Sequence, residues 1–152
     1  MVLAALRDDS YNVVLLLHIA AVIVAFAPVI AGVVQQLGLG ADADSDIARR
    51  LAAVQQKTIQ SVSMGALVVA LLTGLGMIFM SDDVIEFSDG WISMAFGLWI
   101  IIAGLISGMV GKGERQKAAG DGKGRDLVLA GSGVALTLAL VALSVMIYMP
   151  GA

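Results

Sequence analysis

Four stretches of the chain contain no Asp, Glu, Lys or Arg: Ser10–Ala41, Thr58–Ser81, Gly90–Gly111 and Leu127–Ala152. Each exceeds the ~20 apolar residues that cross ~30 Å of hydrocarbon. Lipid supplies no water to a lone backbone amide or carbonyl, so a spanning segment closes its own hydrogen bonds as a helix or joins a closed barrel. The short alternating strands of a barrel are missing. The pattern therefore predicts an all-α membrane protein, one transmembrane domain over residues 1–152. It is a four-transmembrane-helix bundle with helices at about 11–37, 46–80, 89–111 and 125–149.

The punctuation between these stretches refines the picture. Pro28 interrupts the first helix and should bend it, and Gly38-Leu39-Gly40 ends it. Asp44, Ser45 and Asp46 are N-cap candidates for the second helix. Arg49, Gln56, Lys57, Gln60 and Ser63 follow at three-to-four-residue spacing, which reads as a solvated face. At 1.5 Å per residue, ~35 residues span roughly 50 Å, so part of this helix should stand clear of the bilayer. Ser88-Asp89-Gly90-Trp91 opens the third helix, and Pro150 stops the fourth. The segment Lys112–Gly124 is rich in Gly and charge and reads as a flexible loop.

Composition agrees and sets limits. Hydrophobic residues make up 59% of the chain and charged residues 14%, well below the ~25% of soluble domains. The absence of Cys excludes disulfide and thiolate chemistry. Charge position says more than net charge. Arg49, Arg50 and Lys57 lie in one connecting segment, and Lys112, Arg115, Lys117, Lys123 and Arg125 in another. Only Arg7 lies elsewhere, while the middle segment carries Asp82, Asp83, Glu86 and Asp89. The positive-inside rule then places both basic loops in the cytoplasm, gives an N-out/C-out topology, and extends the second helix into the cytoplasm. Met1–Asp9, with one Arg against two acids, suits a signal peptide poorly, so the first helix is read as retained. Tyr11, Phe87, Trp91 and Tyr148 fall at the expected outer helix ends, where amphipathic rings are favoured.

Little in the chain carries chemistry. His18 is the only His and falls within the first span. An ionisable residue there is a functional candidate by default. It is also cheap to keep, because an imidazole needs one donor and one acceptor that neighbouring helices can supply. Met77 with Met80, and Met146 with Met149, each place two thioethers on one helix face. Soft thioethers with one imidazole suit Cu(I), although Met is also a common gap-filler. Bis-His haem ligation within one chain is excluded, whereas His/Met ligation is not. Gly120-Asp121-Gly122-Lys123-Gly124 lacks the spacing and the Ser or Thr of a phosphate loop. No catalytic triad, paired carboxylate or hydrolase metal set appears, and no nucleic-acid partner is expected. In lipid, helices associate through small residues. Gly97, Gly104 and Gly108 on the third helix, and Gly74 on the second, are the expected packing points, within the bundle or against a second copy or partner subunit. Gly76, Gly131 and Gly133 are further close-approach candidates.

Four short motifs resemble a family of uncharacterised bacterial four-helix integral membrane proteins. That family is distantly similar to the CopD-type copper-resistance membrane domain and to HemJ-type protoporphyrinogen oxidases. Leu15-Leu16-Leu17-His18-Ile19-Ala20-Ala21 resembles the opening of helix one, and Leu71-Leu72-Thr73-Gly74-Leu75 the close of helix two. Gly90-Trp91-Ile92 resembles the start of helix three, and Met146-Ile147-Tyr148-Met149-Pro150 the end of helix four. The resemblance implies a bacterial plasma-membrane protein in which His18 is the ligand candidate. The basic residue that HemJ-type enzymes carry in a later helix has no counterpart, because no Lys or Arg lies inside a span. The expectation is a non-enzymatic accessory or interaction subunit, a homo-oligomer or part of a larger membrane complex. The alternative is a haem- or copper-associated protein using His18.

Overall fold

A computed structural model describes residues 9–39, 45–81 and 89–148. These form four helices, each long and apolar enough to span a membrane. Helix α1 is Asp9–Leu39, α2 is Asp46–Phe79, α3 is Gly90–Ala118 and α4 is Lys123–Tyr148. Asp44 and Ser88 as caps, the ends at Gly40 and Pro150, the acidic Asp82, Asp83 and Glu86, and Phe87 and Met149 lie outside the described residues.

Two of the boundaries have clear local causes. Ser45 caps α2 with an extended backbone, its side-chain oxygen accepting from the Ala48 amide at 3.2 Å. Helix α3 does not stop near Gly111 but runs on to Ala118. The segment expected to be a flexible loop is therefore helix followed by a tight turn. Gly120, at φ +82°, donates to the Lys117 carbonyl at 2.9 Å, and Asp121 donates to that of Gln116 at 2.9 Å. This pair of bonds is a Schellman close, and its left-handed residue favours glycine. The Asp121 carboxylate then accepts the Lys123 amide at 3.0 Å and starts α4.

The C-terminal end of α1, the N-terminal end of α2 and the α3–α4 turn lie at one end of the bundle, called here the basic end. Helix α1 packs along the C-terminal half of α2 and against α4, and α3 packs along α4. The N-terminal half of α2 leans instead on the last turns of α3. The core is a column of Ala25, Val29, Ile59, Leu67, Ile102, Ile106, Val110, Val128 and Ala135. Trp99 ties α3 to α2 through its ring N–H, 3.1 Å from the Leu67 carbonyl. Outward-facing Leu16, Ile23, Val34, Leu72, Ile100, Leu140 and Ile147 are exposed, as surfaces packed by lipid tails should be. Of the aromatics expected at an interface, Tyr148 is exposed, while Tyr11 and Trp91 are packed inside.

Helices α2 and α3 each contain one π-helical segment, Ile59–Ser63 and Leu105–Val110. Their buried faces explain why. Gln55, Ile59, Ser63 and Leu67 are all buried and successively four apart, as are Ile102, Ile106, Val110 and Glu114. On a straight α-helix, at ~100° per residue, a four-residue step overshoots a turn by roughly 40°, so three steps would carry the row well off the seam. The wider π turn absorbs the excess. This also removes Ser63 from the solvated face expected for Arg49 and Gln60, since Ser63 is fully buried while those two are exposed.

Candidate functional site

Polar groups collect at two places inside the bundle. The first surrounds His18 on α1. Its Nδ1 lies 2.8 Å from the Ala70 carbonyl and 3.2 Å from Thr73 Oγ1, both on α2. A carbonyl can only accept, so Nδ1 carries the ring proton and donates. Thr73 in turn gives its hydroxyl proton to the Val69 carbonyl at 2.7 Å. Nε2 therefore holds a lone pair, and no partner for it occurs among the described residues. Gly74 makes room for the ring, since a Cβ there would stand 3.2 Å from His18 Cε1.

The candidate methionines among the described residues are distributed over two helices. Met77 and Met80 continue α2 beyond Gly74, roughly 5 and 9 Å further along the axis. Met146 is on α4, which barely touches the C-terminal half of α2, and its side chain is exposed. Met77 thus belongs to α2, with Met80 at its C-cap, and Met146 to α4, while Met149 lies outside the described residues. The imidazole Nε2 is the atom of the site left free for an exogenous group.

The second polar group lies nearer the basic end and was not anticipated from the sequence. Glu114 on α3 is fully buried, and its carboxylate pairs with the Lys117 ammonium at 2.9 Å, which is 9% exposed. The other Glu114 oxygen has no partner among the described residues. Gln55 on α2 is also buried and donates its amide proton to the Pro28 carbonyl of α1. Both side chains face Gly32 of α1. A Cβ at residue 32 would lie 3.4 Å from both Gln55 Nε2 and Glu114 Oε1. Gln36, one turn further along α1, is fully buried, and neither amide atom has a partner among the described residues.

Taking a carboxylate and an ammonium out of water costs several kcal/mol per ion, which only close pairing and further hydrogen bonds return. The sequence did hold a signal for Glu114. The row Ile106, Val110, Glu114 and Lys117 continues the buried face of α3 at helical spacing, through good helix formers. The density of glycine around it pointed instead to a loop.

The glycines fall into two groups. Gly97, Gly104 and Gly108 face away from the other helices, since a Cβ at any of them would meet no atom of another described element within 4 Å, whereas Gly74 faces His18. Gly133 is equally open, and a Cβ at Gly76 would make only an ordinary contact with Val14. The helix contact without room for a side chain lies between α3 and α4, at Gly131, a close-approach candidate from the sequence, and at Gly113 and Gly124, which were not. A Cβ on Gly113 would stand 2.7 Å from the Gly124 carbonyl oxygen and 2.9 Å from the Val128 amide. One on Gly131 would stand 2.8 Å from Met109 Cβ.

Compared with known proteins, the chain matches no protein family, no curated protein and no solved structure.

Proposed function

We propose that this chain is a non-catalytic subunit of the bacterial plasma membrane that associates with a second copy or a larger membrane complex through the open face of α3. The observation that carries the proposal is the outward glycine row Gly97, Gly104 and Gly108, which is exposed and free of neighbours. Glycines that face lipid contribute no packing of their own. The same glycines let another helix approach to backbone distance, which is how helices associate where water gives no drive. Ser93, Ile100, Ile101 and Ser107 complete that face.

In this reading both basic connections are cytoplasmic, both termini are outside, and the N-terminal turns of α2 stand clear of the bilayer. A Ser107→Cys variant, oxidised in membranes, should crosslink to a dimer or to a larger adduct. Gly104→Leu or Gly108→Leu should abolish that adduct while leaving the unfolding of the single chain in detergent unchanged. Absence of any adduct in native membranes defeats the proposal.

A second reading rests on His18. Metal-bound His is commonly held with its other ring N–H on a carbonyl, as Nδ1 is held here on Ala70. His18 would then hold a haem through Nε2, the haem would supply electron transfer, and the protein's part would be to hold and orient the imidazole. Purified protein with a Soret band that His18→Gln removes supports this reading. Colourless protein from haem-replete cells rejects it.

A further inference from the structure

The basic end of the bundle contains a cavity of about 180 Å³, lined by Gln36, Arg49, Lys117, Gly120, Asp121, Gly122 and Arg125. These residues come from the ends of all four helices and from the α3–α4 turn. The volume is that of about six waters at ~30 Å³ each. Three of the lining side chains are cationic and one is anionic.

Each charge has a definite situation. Lys117 is neutralised by buried Glu114 at 2.9 Å. The Asp121 carboxylate is turned to the Lys123 amide at 3.0 Å. Arg49 reaches Asp46 at only 3.9 Å, on a side chain that is 90% exposed. Arg125 forms no ion pair among the described residues. The two guanidiniums are thus left with uncommitted donors around the cavity. The Arg49 guanidinium lies over the turn, its Cζ 3.4 Å from where a Cβ on Gly120 would stand.

Gln36 provides an independent sign of a ligand. It lines the same cavity, is fully buried, and has no partner for either amide atom among the described residues. An orphaned buried amide is costly, and native chains rarely keep one without something to bond to it. An amide N–H₂ beside two guanidiniums and an ammonium forms a donor set with more N–H groups than the two oxygens of a carboxylate can use. A phosphoryl group, with three or more strong acceptor oxygens, fits that set, and Arg forks match its geometry bidentately.

We infer that Arg49, Arg125, Lys117 and Gln36 form a binding site for a phosphoryl oxyanion at the basic end of the bundle. The group can arrive as inorganic phosphate or as the headgroup of an anionic phospholipid. Basic pockets between membrane helices on the cytoplasmic side take headgroups of that kind. The site does not depend on the α3 glycine face, so association and phosphoryl binding can succeed or fail separately.

The test uses the full chain in nanodiscs of pure phosphatidylcholine, or with phosphatidylglycerol added, and follows thermal unfolding by Trp fluorescence. A rise in Tm on adding inorganic phosphate in pure phosphatidylcholine supports the site with free phosphate as the source. A rise only with phosphatidylglycerol supports it with the lipid headgroup as the source. In either case Arg125→Gln should weaken apparent affinity roughly tenfold or more. Gln36→Leu should also weaken it while folding at least as well without ligand, because it replaces an unpartnered amide with an apolar side chain. Lys112→Gln, an exposed charge outside the cavity, should change neither measurement. No rise with either probe overturns the inference. So does a rise that survives Arg125→Gln, or one that Lys112→Gln reduces equally, since that would be a surface-charge effect.

Discussion

Substituting Ala for Gly124 should destabilise the bundle, although Ala is the better helix former. The added Cβ would stand 2.7 Å from the Lys117 amide nitrogen and 2.8 Å from Lys117 Cγ, and would also collide with the Gly113 carbonyl oxygen. Backbone atoms cannot rotate away, so the helices must part. Ordinary contact begins at 3.4 Å, so the gap to be opened at the Lys117 amide is roughly 0.7 Å. A radial gap of that size forfeits about a quarter to a half of each dispersion contact along the seam. Overpacking of this kind costs about 1–3 kcal/mol, against a helix-propensity gain of about 0.5–1 kcal/mol. The net expectation is a loss of about 1–2 kcal/mol. Gly113→Ala should behave alike, with Val128 Cγ2 2.8 Å from the new atom. Gly108→Ala, meeting nothing within 4 Å, should be neutral or slightly stabilising in the single chain. Equilibrium unfolding of the monomer in detergent, followed by Trp fluorescence, ranks the three. Gly124→Ala and Gly113→Ala at or above wild-type stability, with Gly108→Ala below it, would refute the packing of α3 on α4 described above.

Three further outcomes are expected. Glu114→Ala leaves the Lys117 ammonium nearly buried without its partner and should cost about 3–5 kcal/mol, whereas the double variant Glu114→Gln/Lys117→Met should recover most of it. Equal stability of the two in a denaturant titration would show that the pair is solvated rather than buried. His18→Gln keeps a donor for the Ala70 carbonyl and should unfold within about 1 kcal/mol of wild type. His18→Leu should lose about 0.5–1.5 kcal/mol with the bond, and a larger loss for the Gln variant than for the Leu variant would contradict the assigned contact. With no native Cys in the chain, Tyr148→Cys should react with an impermeant thiol reagent on intact cells and Gly122→Cys should not. The opposite labelling inverts the proposed orientation.

Several features were legible in the sequence because they depend on solvent and on local bonding alone. Each uncharged stretch is longer than a bilayer is thick, so four helices follow from the cost of an unbonded peptide in lipid. The Ser45 cap was legible because a side-chain oxygen three residues before an amide makes a local bond. His18 stood out as the one ionisable residue within a span, although nothing in one dimension gave it Ala70 and Thr73, 52 and 55 residues away. Glycine content announced close helix contacts but not their places, because a glycine's role depends on what faces it. Gly104 and Gly108 form the spacing known for association yet look outward. Gly113 and Gly124, which resembled loop residues, carry the contact between α3 and α4. The π segments were hidden for a related reason. A four-residue spacing of buried positions is ambiguous until a neighbour fixes which residues must point inward. Only the packed bundle did so, and by widening one turn in α2 and one in α3 it carried Ser63, expected on the solvated face, and Glu114, expected in a loop, into the interior.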